Sequence, residues 1–423
     1  SDHVKEVSVV LSDGTLAGFG AVEGSTLEAK LAREDLEGRI YRDVARIAEE
    51  QREEIVLRFP RIMRRVSGYN LDVMLEADLI NLTGMVVGSE GTLVVATEAK
   101  LNLEPLPKMK TLAVLHFNSV AESMEATVAV LELAPAAVEL MGSMIIRQAS
   151  ANLEHSRQMG FVQGDPEALL LVEVVGDSEV EVESKLDSLD AKNLGYATTQ
   201  ISDPKEQASV WAVRKAGVGL MMNVTGPEKP LAFVEDTAVA PERLPEYVRR
   251  FDEIVKANGT TAGYYGHASV GCLHIRPLID LKSAEGVERM ASISSQISDL
   301  VLEFGGSMSG EHGDGLARSA LNEKMFGPLV YNAFRRVKRA FDPQGIMNPG
   351  KVVDAPPMTR NLKISPEYKT LGLATGFTFK QEGGFAAAIE MCNGQGACRK
   401  VHGGTMCPSF MVTRDEEHST RGR

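Results

Sequence analysis

The segment Gly266-His267-Ala268-Ser269-Val270-Gly271-Cys272-Leu273-His274 determines how the chain folds around two of its imidazoles. The two histidines are seven residues apart, a spacing that would put them on one face of a helix, but the glycines at 266 and 271 disfavour a helix. A straight strand would send the two side chains to opposite faces of a sheet. We therefore predict a bend at Gly271 that brings His267 and His274 to one point.

A second glycine-rich segment, Ser309-Gly310-Glu311-His312-Gly313-Asp314-Gly315, follows a predicted helix. Neutral imidazole and carboxylate are ligands that suit a borderline divalent ion such as zinc. We therefore predict a metal site formed by His267, His274 and Glu311. His312 is the candidate general base, since imidazole titrates near working pH. A single His-x6-His spacing is weak evidence, and the added Glu-His pair between glycines makes the site the favoured interpretation.

Two residues near these motifs have two interpretations each. Asp314 either orients a nearby imidazole from behind the metal ligands or is only a turn residue. Cys272 is either a small buried residue, which the sequence favours, or an additional metal ligand. Neither residue is included in the predicted site.

The composition is that of an ordinary globular protein with room for two or three domains. Hydrophobic residues make up 43% and charged residues 24% of the 423 residues, which allows a sizeable core. The net charge of −13 argues against a nucleic-acid or anionic-membrane surface, although a few local cations can still bind an anionic substrate. Because no apolar run approaches a bilayer span, we expect a cytoplasmic protein, at most peripheral to the inner membrane.

The pattern of predicted elements changes near residue 108. Residues 1–105 are rich in predicted strands, with a polar helical insert over 34–57, and a turn at 88–92 precedes a strand over 93–103. From about residue 110, strands alternate with helices, which predicts an α+β sheet with its helices on one side. Residues 231–239 are predicted to form one of these strands.

Three of the four cysteines, Cys392, Cys398 and Cys407, lie within the last 32 residues. Such clustering indicates metal binding in a reducing compartment rather than a disulfide framework. Cys407 precedes proline, as at the end of bacterial ferredoxin motifs, but gaps of five and eight residues replace the usual gap of two. The preferred interpretation is an incomplete [4Fe-4S] ligand set whose fourth cysteine lies beyond Arg423, and tetrahedral zinc is the alternative.

Four blocks resemble the signature sequences of one enzyme family. They are NLTGMVVGSEGTLVVATEAKL (81–101), GHASVGCLHIRP (266–277), GGSMSGEHGDGLARS (305–319) and FDPQGIMNPGKVV (341–353). In this order they resemble the FAD-linked oxidoreductases of the vanillyl-alcohol-oxidase type, in the branch of the D-lactate, glycolate and D-2-hydroxyglutarate dehydrogenases. Four blocks in the family's order are more specific than any one motif.

The resemblance implies an α+β fold built from a partial FAD-binding domain and a cap domain with an antiparallel sheet, followed by the start of a helical iron–sulfur domain. The family's FAD-binding half-domain with its Arg-Gly-Gly phosphate loop is expected upstream of residue 1, so we expect a fragment. The implied divisions are the C-terminal part of the FAD-binding domain (1–108), the substrate cap with its return segment to the flavin (109–353), a linker (354–385) and the ferredoxin-like start (386–423).

The resemblance also implies roles for single residues. Arg214 and Lys229 are expected to bind the substrate carboxylate, because a guanidinium fork matches a carboxylate and an ammonium adds a point charge. His267, His274 and Glu311 resemble the family's metal triad. The expected flavin contacts come from a turn whose glycines admit a cofactor to the backbone, together with one asparagine: Gly88, Ser89, Gly91, Thr92 and Asn348.

The sequence therefore predicts a flavin-dependent dehydrogenase that oxidises a D-2-hydroxy acid of the lactate, glycolate or 2-hydroxyglutarate class to the 2-oxo acid. The hydride passes to FAD N5, and electrons continue through iron–sulfur clusters to a quinone or an electron-transfer protein. A metal-dependent hydrolase that uses the His/His/Glu site and a metal-bound water is one alternative. The other is a non-catalytic fragment of the dehydrogenase.

Overall fold

The structure is a computed structural model that describes residues 2–75, 79–394, 396–402 and 407–422. Its strands are β1 (Val4–Val10), β2 (Leu16–Phe19), β3 (Ala21–Glu23), β4 (Leu79–Asn81), β5 (Val95–Leu101), β6 (Met109–Phe117), β7 (Ala137–Gly142), β8 (Ala168–Gly176), β9 (Ala197–Ile201), β10 (Lys229–Pro230), β11 (Thr237–Ala238), β12 (Ala262–His267) and β13 (Cys272–Ile279).

Its helices are α1 (Gly24–Leu31), α2 (Leu36–Glu50), α3 (Arg52–Arg58), α4 (Thr83–Val86), α5 (Val120–Leu131), α6 (Ser143–Ala151), α7 (Glu179–Ala191), α8 (Pro204–Met221), α9 (Leu244–Ala257), α10 (Ala284–Glu303), α11 (Gly315–Arg318), α12 (Asn322–Phe341), α13 (Phe385–Glu390) and α14 (Pro408–Thr413). Within the described residues, none of these helices combines the length and apolar character needed to cross a bilayer. Several begin at a side chain that accepts a backbone N–H of the first turn, which stabilises the helix start: Asp35, Ser119, Ser178, Asp203 and Ser283.

The N-terminal part is built on a three-stranded antiparallel sheet in the order β2-β1-β5. Helix α12, from the distant return segment, packs against α2 and α3. Its Phe334 meets the rings of Phe59 and Tyr69 edge-on, with centroids 6.2 and 5.7 Å away. The return segment thus belongs to the same core as the first hundred residues.

The cap is an antiparallel sheet in the order β10-β13-β12-β7-β8-β6-β9, with β11 also paired to β13. This arrangement confirms the expected antiparallel sheet. The expectation of helices on one side only is wrong: α5, α7, α9 and α10 cover one face, and α6 and α8 cover the other. The reason is visible in β6, where Leu112 and Val114 face one way and Ala113 and Leu115 the other, all buried. A strand that is apolar on both faces needs cover on both.

The strand predicted over 231–239 is also wrong. Within residues 229–239, the strand pairing with β13 is confined to Lys229–Pro230 and Thr237–Ala238. Between these two short strands lies Asp236, whose φ of +72° is incompatible with an extended strand. The interruption turns two acidic side chains toward the interior, where the candidate site is found.

Lys338 of α12 connects its own helix to the segments that contain Thr92 and Met347. Its ammonium is almost fully buried and donates to the carboxylate of Asp342 and to the backbone oxygens of Thr92 and Met347. These contacts connect the 88–92 turn to the segment that carries Asn348. A buried charge of this kind is stable only while its partners are retained.

We predict that Lys338→Met destabilises the protein by about 3–5 kcal/mol, because it removes the cation beside the buried Asp342 carboxylate and the side-chain donor to the Thr92 and Met347 carbonyls. Denaturant-induced unfolding measures the effect. Lys256→Met is the matched control: Lys256 is 68% exposed in its pair with Asp252, and its loss should change stability by no more than about 1 kcal/mol. Equal destabilisation by the two substitutions would contradict the prediction.

Candidate active site

The hairpin of β12 and β13 brings the two histidines together. His267 ends β12 opposite Cys272, and Tyr265 pairs with His274. The chain reverses at Gly271, whose φ of +72° is left-handed and where a Cβ would lie 1.8 Å from the Val239 oxygen. Residues 265, 267 and 274 therefore share one face, and the imidazole centroids of the two histidines are 5.2 Å apart. The predicted bend is confirmed.

The loop that presents Glu311 and His312 is organised by Asp236. This carboxylate is fully buried and accepts hydrogen bonds from the Ser309 hydroxyl (2.6 Å), the Glu311 N–H (3.2 Å) and the His312 N–H (2.8 Å). A backbone hydrogen bond from Gly310 N to the Asp236 oxygen adds a fourth connection. Sequence analysis missed Asp236, although an Asp inside a predicted apolar strand was a visible anomaly.

The imidazoles of the three predicted histidines surround one carboxylate oxygen of Glu311. Oε1 of Glu311 lies 2.9 Å from Nε2 of His267, 3.6 Å from Nε2 of His274 and 3.9 Å from Nε2 of His312. The rings of His274 and His312 are stacked with centroids 4.7 Å apart. The structure thus brings together the predicted metal triad and the predicted base, which come from two segments of the cap.

Two buried carboxylates contact the opposite edges of these imidazoles. Glu139 on β7 lies 2.7 Å from Nδ1 of His267, and Glu235 lies 2.9 Å from Nδ1 of His312 and 3.3 Å from Nδ1 of His274. A carboxylate that holds Nδ1–H leaves Nε2 as the metal-binding or proton-accepting atom. Among the described residues, the ligand atoms that lie close enough together for one ion belong to Asp236, Cys272, His274 and Glu311, and to Glu235, His274 and His312. The metal site of His267, His274 and Glu311 stays a prediction.

The charges in the site shift one another's pKa values. Hydrogen bonds to Glu139 and then Glu311 raise the pKa of His267 to about 9, against the effect of burial. Those to His267 and His274 hold the pKa of Glu311 well below its usual range. Burial opposes ionisation of Glu235, but hydrogen bonds to His274 and His312 and the charge of Arg276 outweigh it and lower its pKa. The contact with Glu235 raises the pKa of His312.

Two arginines stand beside this cluster. Arg214 of α8 contacts Oε2 of Glu139 at 2.7 Å, and Arg276 of β13 lies 3.3 Å from Oε2 of Glu235. Both guanidinium groups lie against the ring of Tyr265, 5.1 and 5.8 Å from its centroid. Within the described residues, the buried Nε atom of each arginine has no hydrogen-bond partner. Arg276 was missed, although strand alternation from His274 puts it on the same face.

Lys229 is not brought to the cluster. It pairs with Ile279, five residues beyond His274 along β13, and its ammonium donates to the Val224 oxygen and lies 3.5 Å from the sulfur of Met391. Burial lowers the pKa of this lysine. The structure thus separates it from Arg214, with which it was expected to bind the substrate.

Asp314 and Cys272, for which the sequence left two interpretations each, are both buried. Asp314 is fully buried and accepts hydrogen bonds from Gly68 N and Asn322 Nδ2, so the interpretation that it orients an imidazole is wrong. Cys272 is buried as expected, with Sγ 3.3 Å from Oδ1 of Asp236. Burial raises the pKa of its thiol, which stays neutral.

The predicted flavin-contact segments meet next to the His312 loop. Glu90, at the centre of the 88–92 turn, accepts the backbone N–H groups of Asp314 (2.6 Å) and Gly315 (3.0 Å). Asn348 donates from Nδ2 to the backbone carbonyl oxygen of Glu90 at 2.8 Å. Gly88 and Gly91 are left-handed, whereas the buried Thr92 hydroxyl donates to the Ser89 oxygen inside the turn. The contacts predicted for Gly88, Ser89, Gly91, Thr92 and Asn348 stay predictions.

As far as the described residues go, the three C-terminal cysteines do not form a group with metal-ligating geometry. Cys392 is exposed, Cys398 and Cys407 are half-buried, and within the described residues the groups with metal-ligating geometry lie at the histidine cluster. Gln395 and residues 403–406 of the predicted iron–sulfur segment lie outside the described residues.

Residues 106–352 match the family model of the FAD linked oxidases, C-terminal domain. This match covers more than half of the chain. The chain belongs to the FAD-linked oxidases. Over its full length it is 33% identical to a D-2-hydroxyglutarate dehydrogenase from Pseudomonas putida and 31% identical to one from Escherichia coli, and it spans 43% of the length of each. A D-lactate dehydrogenase from Archaeoglobus fulgidus is 32% identical over 64% of this chain and 58% of its own length.

Solved structures show the same fold class. A 4-ethylphenol oxidase from Gulosibacter chungangensis superimposes with a TM-score of 0.51 at 15% identity, over 84% of this chain and 66% of its own. A p-cresol methylhydroxylase gives 0.53 at 14% identity, over 84% of this chain and 65% of its own. The fold of this chain is therefore that of the vanillyl-alcohol-oxidase type, as the sequence predicted.

We predict that Gly271→Ala separates the two histidines and destabilises the protein by about 3 kcal/mol or more, since the new Cβ adds a clash with a backbone carbonyl to the strain of a left-handed residue. Thermal unfolding and zinc titration measure the two effects. Gly259→Ala is the matched control, because Gly259 has φ +71° but nothing within 4 Å of its Cβ position. Its cost should be only about 1 kcal/mol, with zinc binding unchanged.

Proposed function

We propose that this chain carries the substrate site of an FAD-dependent dehydrogenase that converts a D-2-hydroxy acid, of the dicarboxylic 2-hydroxyglutarate class, to the 2-oxo acid. The observation that carries the proposal is the convergence of three imidazole Nε2 atoms on the Glu311 carboxylate beside two arginines. Membership of the FAD-linked oxidases favours this activity over metal-dependent hydrolysis. Relatives named D-2-hydroxyglutarate dehydrogenase support the substrate class.

His312 removes the proton of the substrate hydroxyl in this proposal. Glu235 holds its Nδ1, so the free acceptor is Nε2, on the side of Glu311. The side chain is 41% exposed, which leaves the ring open to a small ligand, whereas His274 is buried. The pairing with Glu235 stabilises the imidazolium that forms when the proton is taken, as a general base requires.

Arg214 is assigned to the carboxylate next to the reacting carbon, and Arg276 to the second carboxylate. The two guanidinium groups lie against one tyrosine ring, and each has a buried Nε without a hydrogen-bond partner among the described residues. A ligand with two anionic groups matches this pair of cations. A monocarboxylic acid such as lactate would satisfy only one of them. The pair of arginines is the reason to prefer a dicarboxylic substrate.

Two groups would complete the site. A divalent ion, if held by His267, His274 and Glu311 as predicted, would supply a Lewis acid beside the hydroxyl. FAD would supply the hydride acceptor, and the Glu90 turn, Asn348 and the loop at 313–315, which contact one another, are proposed to lie beside it. The proposed electron acceptor of the reduced flavin would be a quinone or an electron-transfer protein. Cys392, Cys398 and Cys407 do not fit a cluster as they lie here, and no step is assigned to them.

We predict that His312→Gln slows substrate-dependent flavin reduction by about 10²–10⁴-fold while substrate binding is retained, because a general base contributes a factor of this size. Stopped-flow absorbance of the FAD-reconstituted protein measures the rate, and calorimetry measures binding. His3→Gln is the control: His3 is exposed and lies just before β1, so this variant should reduce flavin at the wild-type rate. Wild-type rates in His312→Gln would remove this histidine from the proton-transfer step.

We predict that Arg276→Gln raises KM for D-2-hydroxyglutarate by about 10–100-fold and leaves KM for D-lactate nearly unchanged, because only the dicarboxylate loses a charged hydrogen-bond donor. Steady-state dye reduction with both acids measures this change. Lys229→Gln is the control, since its ammonium is bonded elsewhere, and should alter neither value. An equal loss for both acids would contradict the assignment of Arg276 to the second carboxylate.

A further inference from the structure

Glu139 contacts a predicted metal ligand and a predicted substrate ligand at the same time. Its Oε1 lies 2.7 Å from Nδ1 of His267, and its Oε2 lies 2.7 Å from Nη2 of Arg214. The carboxylate is 8% exposed, so solvent contributes little to its balance of charge. We propose that Glu139 is a positioning residue that couples the two sites, so that a substrate carboxylate at Arg214 and a divalent ion at His267 strengthen each other's binding.

The geometry gives this coupling a direction. With the substrate site empty, the positive charge of Arg214 partly neutralises the Glu139 carboxylate. The carboxylate then polarises the Nδ1–H bond of His267 less strongly than a carboxylate without a cationic partner would. A carboxylate bound to Arg214 shares that positive charge, and Glu139 then polarises His267 more strongly. A better-polarised Nδ1–H makes Nε2 a more basic ligand. Linkage requires the reverse effect to be equal, so the ion also tightens the anion.

The register of the sheet holds this arrangement in place. Glu139 pairs with His267 across β7 and β12, which fixes the two side chains on one face at adjacent positions. The ring of Tyr265, two residues earlier on β12, packs against the Arg214 guanidinium, 5.1 Å from its centroid. The carboxylate therefore has no need to move when either ligand binds, and the coupling acts through charge. The inference rests on the proposed function, since it takes the metal and carboxylate roles from there.

Zinc affinity, measured with and without saturating glutarate by competition with a chromophoric chelator, tests the coupling. Glutarate has both carboxylates but no hydroxyl, and neither flavin nor turnover is needed. The wild-type chain should bind zinc about 5-fold or more tightly with glutarate present. Glu139→Gln should weaken zinc binding about 10–100-fold and abolish the glutarate effect. Glu167→Gln, which breaks an exposed pair with Arg147 in the same domain, should behave like wild type.

The outcomes separate the possible causes. A glutarate effect that persists in Glu139→Gln would mean that glutarate ligates zinc directly, and the coupling role would be overturned. A wild-type chain that binds no zinc would overturn the metal part of the proposed function, and this inference with it. Glu139→Asp guards against a folding artefact, because it keeps the charge: it should restore part of the zinc affinity, and failure to do so with an intact fold would count against the proposal.

Discussion

The carboxylate of Asp236 is buried, and among the described residues no cationic side chain is in hydrogen-bonding contact with it. It is stabilised by the Ser309 hydroxyl and by two successive backbone N–H groups. Burying such a charge is unfavourable unless these donors stay in place, so the loop that supplies them has little freedom. That loop carries Glu311 and His312. The left-handed backbone at Asp236 also lies between β10 and β11, and the neighbouring Glu235 contacts the imidazoles. One strained, buried residue thus sets the position of three side chains in the site.

The rest of the site follows from the choice of sheet face. Residues 139, 265, 267, 274 and 276 all lie on the face covered by α6 and α8, and Arg214 reaches them from α8. Two similar arrangements result, in which a buried glutamate stands between an arginine and an imidazole: Glu139 between Arg214 and His267, and Glu235 between Arg276 and the pair His274 and His312. Because opposite charges alternate, the cluster remains buried at a tolerable cost.

Local sequence patterns were sufficient to predict the hairpin and to predict that His267, His274 and Glu311 lie close together. Glycines at 266 and 271 excluded a helix, and the need for a bend followed from strand geometry alone. Glu139 was out of reach, because 128 positions separate it from His267 and only the register of β7 against β12 joins them. Asp236 was missed because an apolar run hid a backbone conformation that no short motif records. Arg276 was within reach from strand alternation, whereas Lys229, chosen by resemblance, lies at the wrong end of its strand pair.

The position of Glu311 has a consequence for how an ion enters and leaves. Its oxygen already lies among the three Nε2 atoms, so the imidazoles are separated and aimed before any ion arrives. An ion bound in the proposed way would therefore meet side chains that are already placed by the fold, unlike zinc fingers, in which binding and folding are a single event. The shell is held by the sheet and by Asp236, independent of its occupant. Under the proposed function, removal of the ion would therefore abolish activity and leave the fold intact.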